Sequence, residues 1–155
     1  MKRFLLATII ISSLASCDLF TKKKNTGPDD KQQMMDADKA FSKLSEEKGM
    51  KAAFIEYIDS NGALLRPNEM PIEGADAIDY LIQQNDSTYT LKWQPKKGFV
   101  AESGDLGYTY GLYEYRSKVK DTVIYGTYVS IWKKQANGSW KFVLDSGNEG
   151  VGEPQ

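Results

Sequence analysis

The 155-residue chain contains no histidine and a single cysteine, Cys17. Without an imidazole there is no Ser-His-Asp arrangement, no histidine metal site and no side chain whose ordinary titration lies near neutrality. With one thiol no disulfide can close within the chain, so the fold has to rest on its apolar core. Long hydrophobic runs are also missing: the stretch Phe4 to Ile11 falls short of the roughly 20 residues that span a bilayer. Neither sign of charge dominates, with 20 Lys and Arg against 21 Asp and Glu. A formal charge of −1 makes no electrostatic case for nucleic acid. No glycine-rich phosphate loop, metal-ligand cluster or internal repeat is evident, and no cofactor is expected.

The cysteine stands in an informative place. Lys2 and Arg3 precede the apolar run, and Leu14-Ala15-Ser16-Cys17 follows it. These are the positive, apolar and small-residue segments of a secretory signal, in order. Together they resemble a bacterial lipoprotein signal, which implies cleavage before Cys17, a diacylglycerol on its sulfur and an acylated amine. Such an anchor buries enough CH₂ groups, at about 0.8 kcal/mol each, to hold a protein on a membrane. The alternative is a lone buried thiol. Loss of Lys2 and Arg3 with the signal takes the formal charge from −1 to −3.

Residues 1–16 are therefore expected to be a signal peptide and 17–32 a polar tether containing the turn-prone Gly27-Pro28. Lys22 to Lys24 could touch anionic headgroups or be solvated linker. Surface-exported lipoproteins of the Bacteroidetes type tend to carry acidic residues at this place. The basic run here points instead to an outer-membrane anchor facing the periplasm.

Met34, Ala37, Phe41 and Leu44 recur at helical spacing, predicting a helix over 33–47 that stops at Gly49. A second helix is predicted from Met50 to about Tyr57, ending at Asp59-Ser60-Asn61-Gly62. A third follows Gly74, with Ile78, Leu81 and Ile82 as its buried stripe. From Thr88 the texture turns aromatic and β-branched. Thr88–Val100, Leu106–Lys118, Thr122–Lys134 and Ser139–Asp145 read as a four-strand meander, with Leu64-Leu65 as a short earlier strand. Segregated helices and strands imply an α+β domain over 33–147, followed by a polar tail over 148–155.

Five segments carry a resemblance: Ala37-Asp38-Lys39-Ala40-Phe41, Lys51-Ala52-Ala53-Phe54, Ala63-Leu64-Leu65-Arg66-Pro67, Ser103 through Gly111, and Gly138-Ser139-Trp140-Lys141. In this order they resemble the SnoaL-like branch of the nuclear transport factor 2-like superfamily. The resemblance implies a cone in which three N-terminal helices sit against a strongly bent antiparallel sheet, with a pocket at the wide end. It also implies a possible homodimer through the outer sheet face. The family includes isomerases, dehydratases and plain binding modules, so fold alone does not give activity. Where ketosteroid isomerase has a general-base aspartate before a proline, this chain has Arg66 before Pro67, and a guanidinium cannot act as that base. The pocket histidines of scytalone dehydratase have no counterpart.

The residues expected to bind a ligand are Tyr57, Arg66, Trp93, Tyr108, Tyr110, Glu114, Trp132 and Asp145. Arg66 would offer a fork for a carboxylate or phosphate, or be a surface arginine paired to Glu69 or Glu73. Glu114 ends a face of Leu106, Tyr108, Tyr110 and Leu112, and is either a pocket carboxylate or a solvated strand end beside Arg116. Asp145 looks into the cone or lies in an exposed turn. The aromatics line a pocket or fill a core. Three functions stay open: a lipid-anchored envelope module binding a small, partly apolar molecule or a peptide; a lyase or isomerase with Glu114 or Asp145 as base and a tyrosine as oxyanion donor; and a structural dimerisation domain with a filled cone.

Overall fold

The computed structural model describes residues 28–153; the expected signal, Cys17 and the first part of the expected tether lie outside them. Three helices precede the main strands: α1 (Pro28–Lys48), α2 (Met50–Tyr57) and α3 (Gly74–Gln83). The strands are β1 (Ile58–Leu65), β2 (Ile72–Glu73), β3 (Tyr89–Val100), β4 (Leu106–Ser117), β5 (Val123–Lys134) and β6 (Trp140–Val151). They form one sheet in the order β2-β1-β6-β5-β4-β3. β1 runs parallel to β6, and the other pairs are antiparallel. This is the α+β architecture that the segregation of helical and strand periodicities implied.

Several boundaries differ from those read in the sequence, each for a local reason. The first helix starts at Pro28, five residues before the predicted 33. Proline at the first helical position loses no intrahelical bond, and Asp29 and Asp30 favour the positive end of the helix dipole. Pro28 therefore marks a helix start, and the last five residues assigned to the tether belong to the domain. Gly49 separates α1 from α2 as expected, with φ of 93°. β1 begins at Ile58 and takes in Asp59-Ser60-Asn61-Gly62, accommodating them by a bulge between Ile58 and Ala63. β6 continues past Asp145 to Val151 because β5 supplies partners, Gly126 to Glu149 and Tyr125 to Val151. Residues 148–151 are thus strand, and the tail begins only at Gly152. The two-residue β2 had no sequence signal.

The narrow part of the cone is solid. Phe41 of α1 lies 4.5 Å from the Trp93 ring, 4.7 Å from Phe54 and 5.5 Å from Phe142, measured between centroids. Trp132 and Phe142 are fully buried beneath it. β3 is an edge strand, and α1 closes that edge with two serines. Ser42 Oγ donates to the Trp93 carbonyl and accepts from the Trp93 amide, both at 2.7 Å, while Ser45 Oγ donates to the Leu91 carbonyl at 2.7 Å.

Candidate functional site

The strands open at the end away from the core, leaving a cavity of about 210 Å³. Its walls are apolar and aromatic: Phe54 from α2, Trp93 from β3, Tyr113 and Tyr115 from β4, Tyr128 from β5. Arg66 and Pro67 follow β1 at one side, and Asp145 through Gly147, with Glu149, come from β6. Glycine makes room for this wall at one point. A Cβ on Gly126 would lie 2.3 Å from Tyr113 Cζ, so only glycine lets that ring lie across β5.

The polar side of the cavity is an ion pair. Arg66 Nη1 donates to Asp145 Oδ1 at 3.0 Å, and to the Asp145 and Leu65 carbonyls at 3.3 Å each. Ser130 Oγ donates to the other carboxylate oxygen at 2.8 Å. The guanidinium carbon sits 5.4 Å from the centroid of the Phe54 ring, a cation–π distance. Nε and Nη2 of Arg66 have no hydrogen-bond partner among the described residues, so half of the fork is available to a ligand.

Below the cavity a second carboxylate is wholly enclosed. Asp38 is fully buried, accepting from Trp93 Nε1 at 2.7 Å and from Tyr128 Oη at 2.7 Å. Thr109 also bonds this carboxylate, and its oxygen accepts from Trp132 Nε1 at 2.8 Å. A chain therefore runs from Trp132 through Thr109 to Asp38. Burial raises the Asp38 pKa against the pull of these donors, and the Asp145 charge raises it further. Burial and the adjacent Asp38 charge push the Tyr128 phenol far above its ordinary value. Burial, aided by Glu149, also raises Tyr113. Tyr89, further along β3, is pushed up to about 12 by burial.

Of the residues expected to bind, the structure brings Arg66, Trp93 and Asp145 together around the cavity. The other five lie elsewhere. Trp132 is fully buried in the core. Tyr57 stacks on Phe41 at 5.0 Å and faces a groove with Ala37 and Trp140. Tyr108 and Tyr110 are exposed on the outer sheet face, because Gly107, Thr109 and Gly111 take the concave side of β4. Glu114 shares that outer face and pairs with Arg116 at 3.1 Å and Lys92 at 3.9 Å. Sequence reasoning does not assign Asp38, Thr109, Tyr113, Tyr115 or Ser130 to the site, and gives Tyr128 only as one of the aromatics that line a pocket or fill a core. A signal existed for two groups of these. Asp38 falls on the Met34-Phe41 stripe at helical spacing, and the glycines of β4 mark the face approached by another layer.

No family model matches the sequence, and no curated protein matches it either. Solved structures do match. A ketosteroid isomerase-like protein from Erwinia carotovora atroseptica superposes with a TM-score of 0.66 at 16% identity, over 81% of this chain and 100% of that one. A nuclear transport factor 2-like protein with a cystatin-like fold from Novosphingobium aromaticivorans gives 0.62 at 14% identity, over 77% and 80%. A nuclear transport factor 2-like superfamily protein from Salmonella enterica gives 0.60 at 15%, over 82% and 98%. The chain has the nuclear transport factor 2-like fold. At these identities the likeness concerns architecture, and the side chains of the cavity have to argue function.

Proposed function

We propose that the protein is a binding module that takes a small, partly apolar molecule with an anionic or acceptor group into the cone, held in the cell envelope by an acylated Cys17. The observation that carries the reading is an aromatic-walled cavity in which each enclosed carboxylate is already engaged, while half of the Arg66 fork is not. Asp145 is committed to Arg66 and Ser130, and Asp38 to Trp93, Tyr128 and Thr109. Each would have to give up or share one of these bonds to act as a general base. At about 210 Å³ the cavity is below the roughly 300–1,000 Å³ of drug-sized sites, which favours a small ligand.

A lyase or isomerase reading draws support from the name of the Erwinia neighbour. It requires a substrate to displace Asp145 from Arg66. The two readings separate on titration of the chain with anilinonaphthalene sulfonate, an aromatic anion that fluoresces when enclosed. The binding reading expects one saturable site, weakened about tenfold, or 1.4 kcal/mol, in Arg66→Gln and unchanged in Tyr108→Ser. Equal binding by the parent chain and Arg66→Gln would overturn the assignment of the site. Turnover of a small enolisable ketone, lost in Asp145→Asn, would establish the enzyme instead.

A further inference from the structure

We propose that the outer sheet face at the narrow end of the cone seats on an anionic phospholipid bilayer, with the cavity mouth turned toward the aqueous phase. The proposal rests on the reading of Cys17 as a lipid anchor. Phe99, Leu106, Tyr108 and Tyr110 are 55%, 45%, 42% and 40% exposed, the largest run of exposed apolar side chains on the described strands. They are contiguous. Phe99 pairs across strands with Tyr108, with ring centroids 5.8 Å apart, and Leu106 and Tyr110 are the next residues on that face of β4. Lys97 is the cross-strand partner of Tyr110, and Lys133 that of Leu106. Both lysines are exposed and form no ion pair among the described residues. Aromatic rings between lysines are the composition that headgroup regions favour, the rings lying at the interface and the ammonium groups on anionic lipid. The acidic groups at this end, Glu102 and Asp105, are engaged in contacts of their own.

The place where the chain enters the domain selects the occupant. The first turn of α1 lies at the same narrow end: Asp30 pairs with Lys134 at 2.6 Å, and the Lys134 amide donates to the Asp105 carbonyl in the β3–β4 turn at 2.8 Å. Ten residues separate Cys17 from Pro28, among them Lys22 to Lys24. Fully extended they reach about 40 Å, so an acylated Cys17 holds the α1 end of the domain within that distance of the bilayer. The cavity is formed at the opposite ends of the same strands, by Leu91, Tyr115 and Glu149. A second copy would bring the same mixed surface, Lys97 and Lys133 together with Glu102 and Asp105, whereas anionic headgroups complement both lysines at once.

The test uses the full chain purified from membranes and reconstituted into vesicles of phosphatidylethanolamine and phosphatidylglycerol. Acylation blocks Cys17, so a nitroxide can be placed uniquely at Tyr108→Cys, with Glu69→Cys beside the cavity mouth as the comparison. The label at 108 is expected to be severalfold less accessible to a water-soluble relaxant, and more accessible to oxygen, than the label at 69. Equal aqueous access at both positions overturns the proposal. So does shielding at 108 that persists in detergent with spin–spin broadening, because a second copy then covers the face. The mass of the Cys17 peptide tests the anchor separately. If it carries no acyl chain, the labels are placed in Cys17→Ser and vesicles are added from solution; lipid contact at 108 then sustains the surface, and its absence overturns it.

Discussion

At Asp38 three donors converge on a carboxylate with no exposed surface, and the balance between desolvation and hydrogen bonding sets how the domain responds to pH. The pKa of the group is raised in the folded state, so the fold binds its proton more readily than the unfolded chain does. Stability from this group is complete below the unfolded value near 4 and is lost as pH rises through the folded value. Asp36 and Asp59 have lowered pKa values, set mainly by a hydrogen bond from Gln32 and from the Asn61 amide respectively, and they contribute in the opposite direction. Urea midpoints of the parent minus Asp38→Asn, followed from pH 4 upward, should therefore decline with pH. A flat difference would show that Asp38 titrates alike in the folded and unfolded chain. Asp38→Ala strands the Trp93 indole and the Tyr128 hydroxyl, and should cost about 1–3 kcal/mol for each donor left unpaired. At the cavity wall, Arg66→Ala leaves Asp145, whose side chain is only 9% exposed, with Ser130 as its remaining side-chain partner. A loss of about 2 kcal/mol is expected by chemical denaturation. That is below the 3–5 kcal/mol of a fully buried pair, because the Arg66 side chain is itself 21% exposed.

Among the elements, the pairing of α1 with β3 does most to keep the sheet from adding a foreign strand. β3 ends the sheet, and its outward groups at Leu91 and Trp93 are satisfied by Ser45 and Ser42. Ser42→Ala and Ser45→Ala should each cost about 1 kcal/mol. The double variant should also aggregate faster on mild heating, seen by light scattering, because an unsatisfied edge is a template for another chain. If the double variant scatters no more than the parent at equal unfolded fraction, the edge is protected by the bulk of α1 and not by its hydroxyls. β5 presents the converse case, where a missing side chain is the requirement. Gly126→Ala places a methyl 2.3 Å from both Tyr113 Cζ and the Asn148 carbonyl oxygen. A shift of Tyr113 and a loss of about 1–3 kcal/mol are expected, with weaker anilinonaphthalene sulfonate binding as the cavity wall moves.

For the whole molecule, the envelope reading predicts that Cys17→Ser moves the protein out of the membrane fraction without changing its unfolding midpoint, since residues 28–153 form the core without Cys17. Retention of the variant in washed membranes would show that something other than a lipid on Cys17 holds it. Much of the fold was legible in the sequence for physical reasons that are local. Helical and strand periodicities are properties of short windows, so three helices and the four strands of the meander fall where Met34 to Leu44 or Thr122 to Lys134 alternate between apolar and polar. Long-range pairing was not legible: the β6 extension to Val151, the bulged start of β1 and the two-residue β2 exist because neighbouring strands supply their hydrogen bonds. The site divides in the same way. By itself the sequence determined that no histidine and no second cysteine are at hand, and that an arginine, Arg66, precedes Pro67. Only the tertiary structure decided which side of β4 faces inward, sending Tyr108, Tyr110 and Glu114 outward and Tyr113 and Tyr115 into the cavity. Both faces of that strand carry tyrosines, so apolar alternation could not choose between them, and only the glycines Gly107 and Gly111 hinted at the inward face. The choice was made by α1, which packs its Met34 against Gly107.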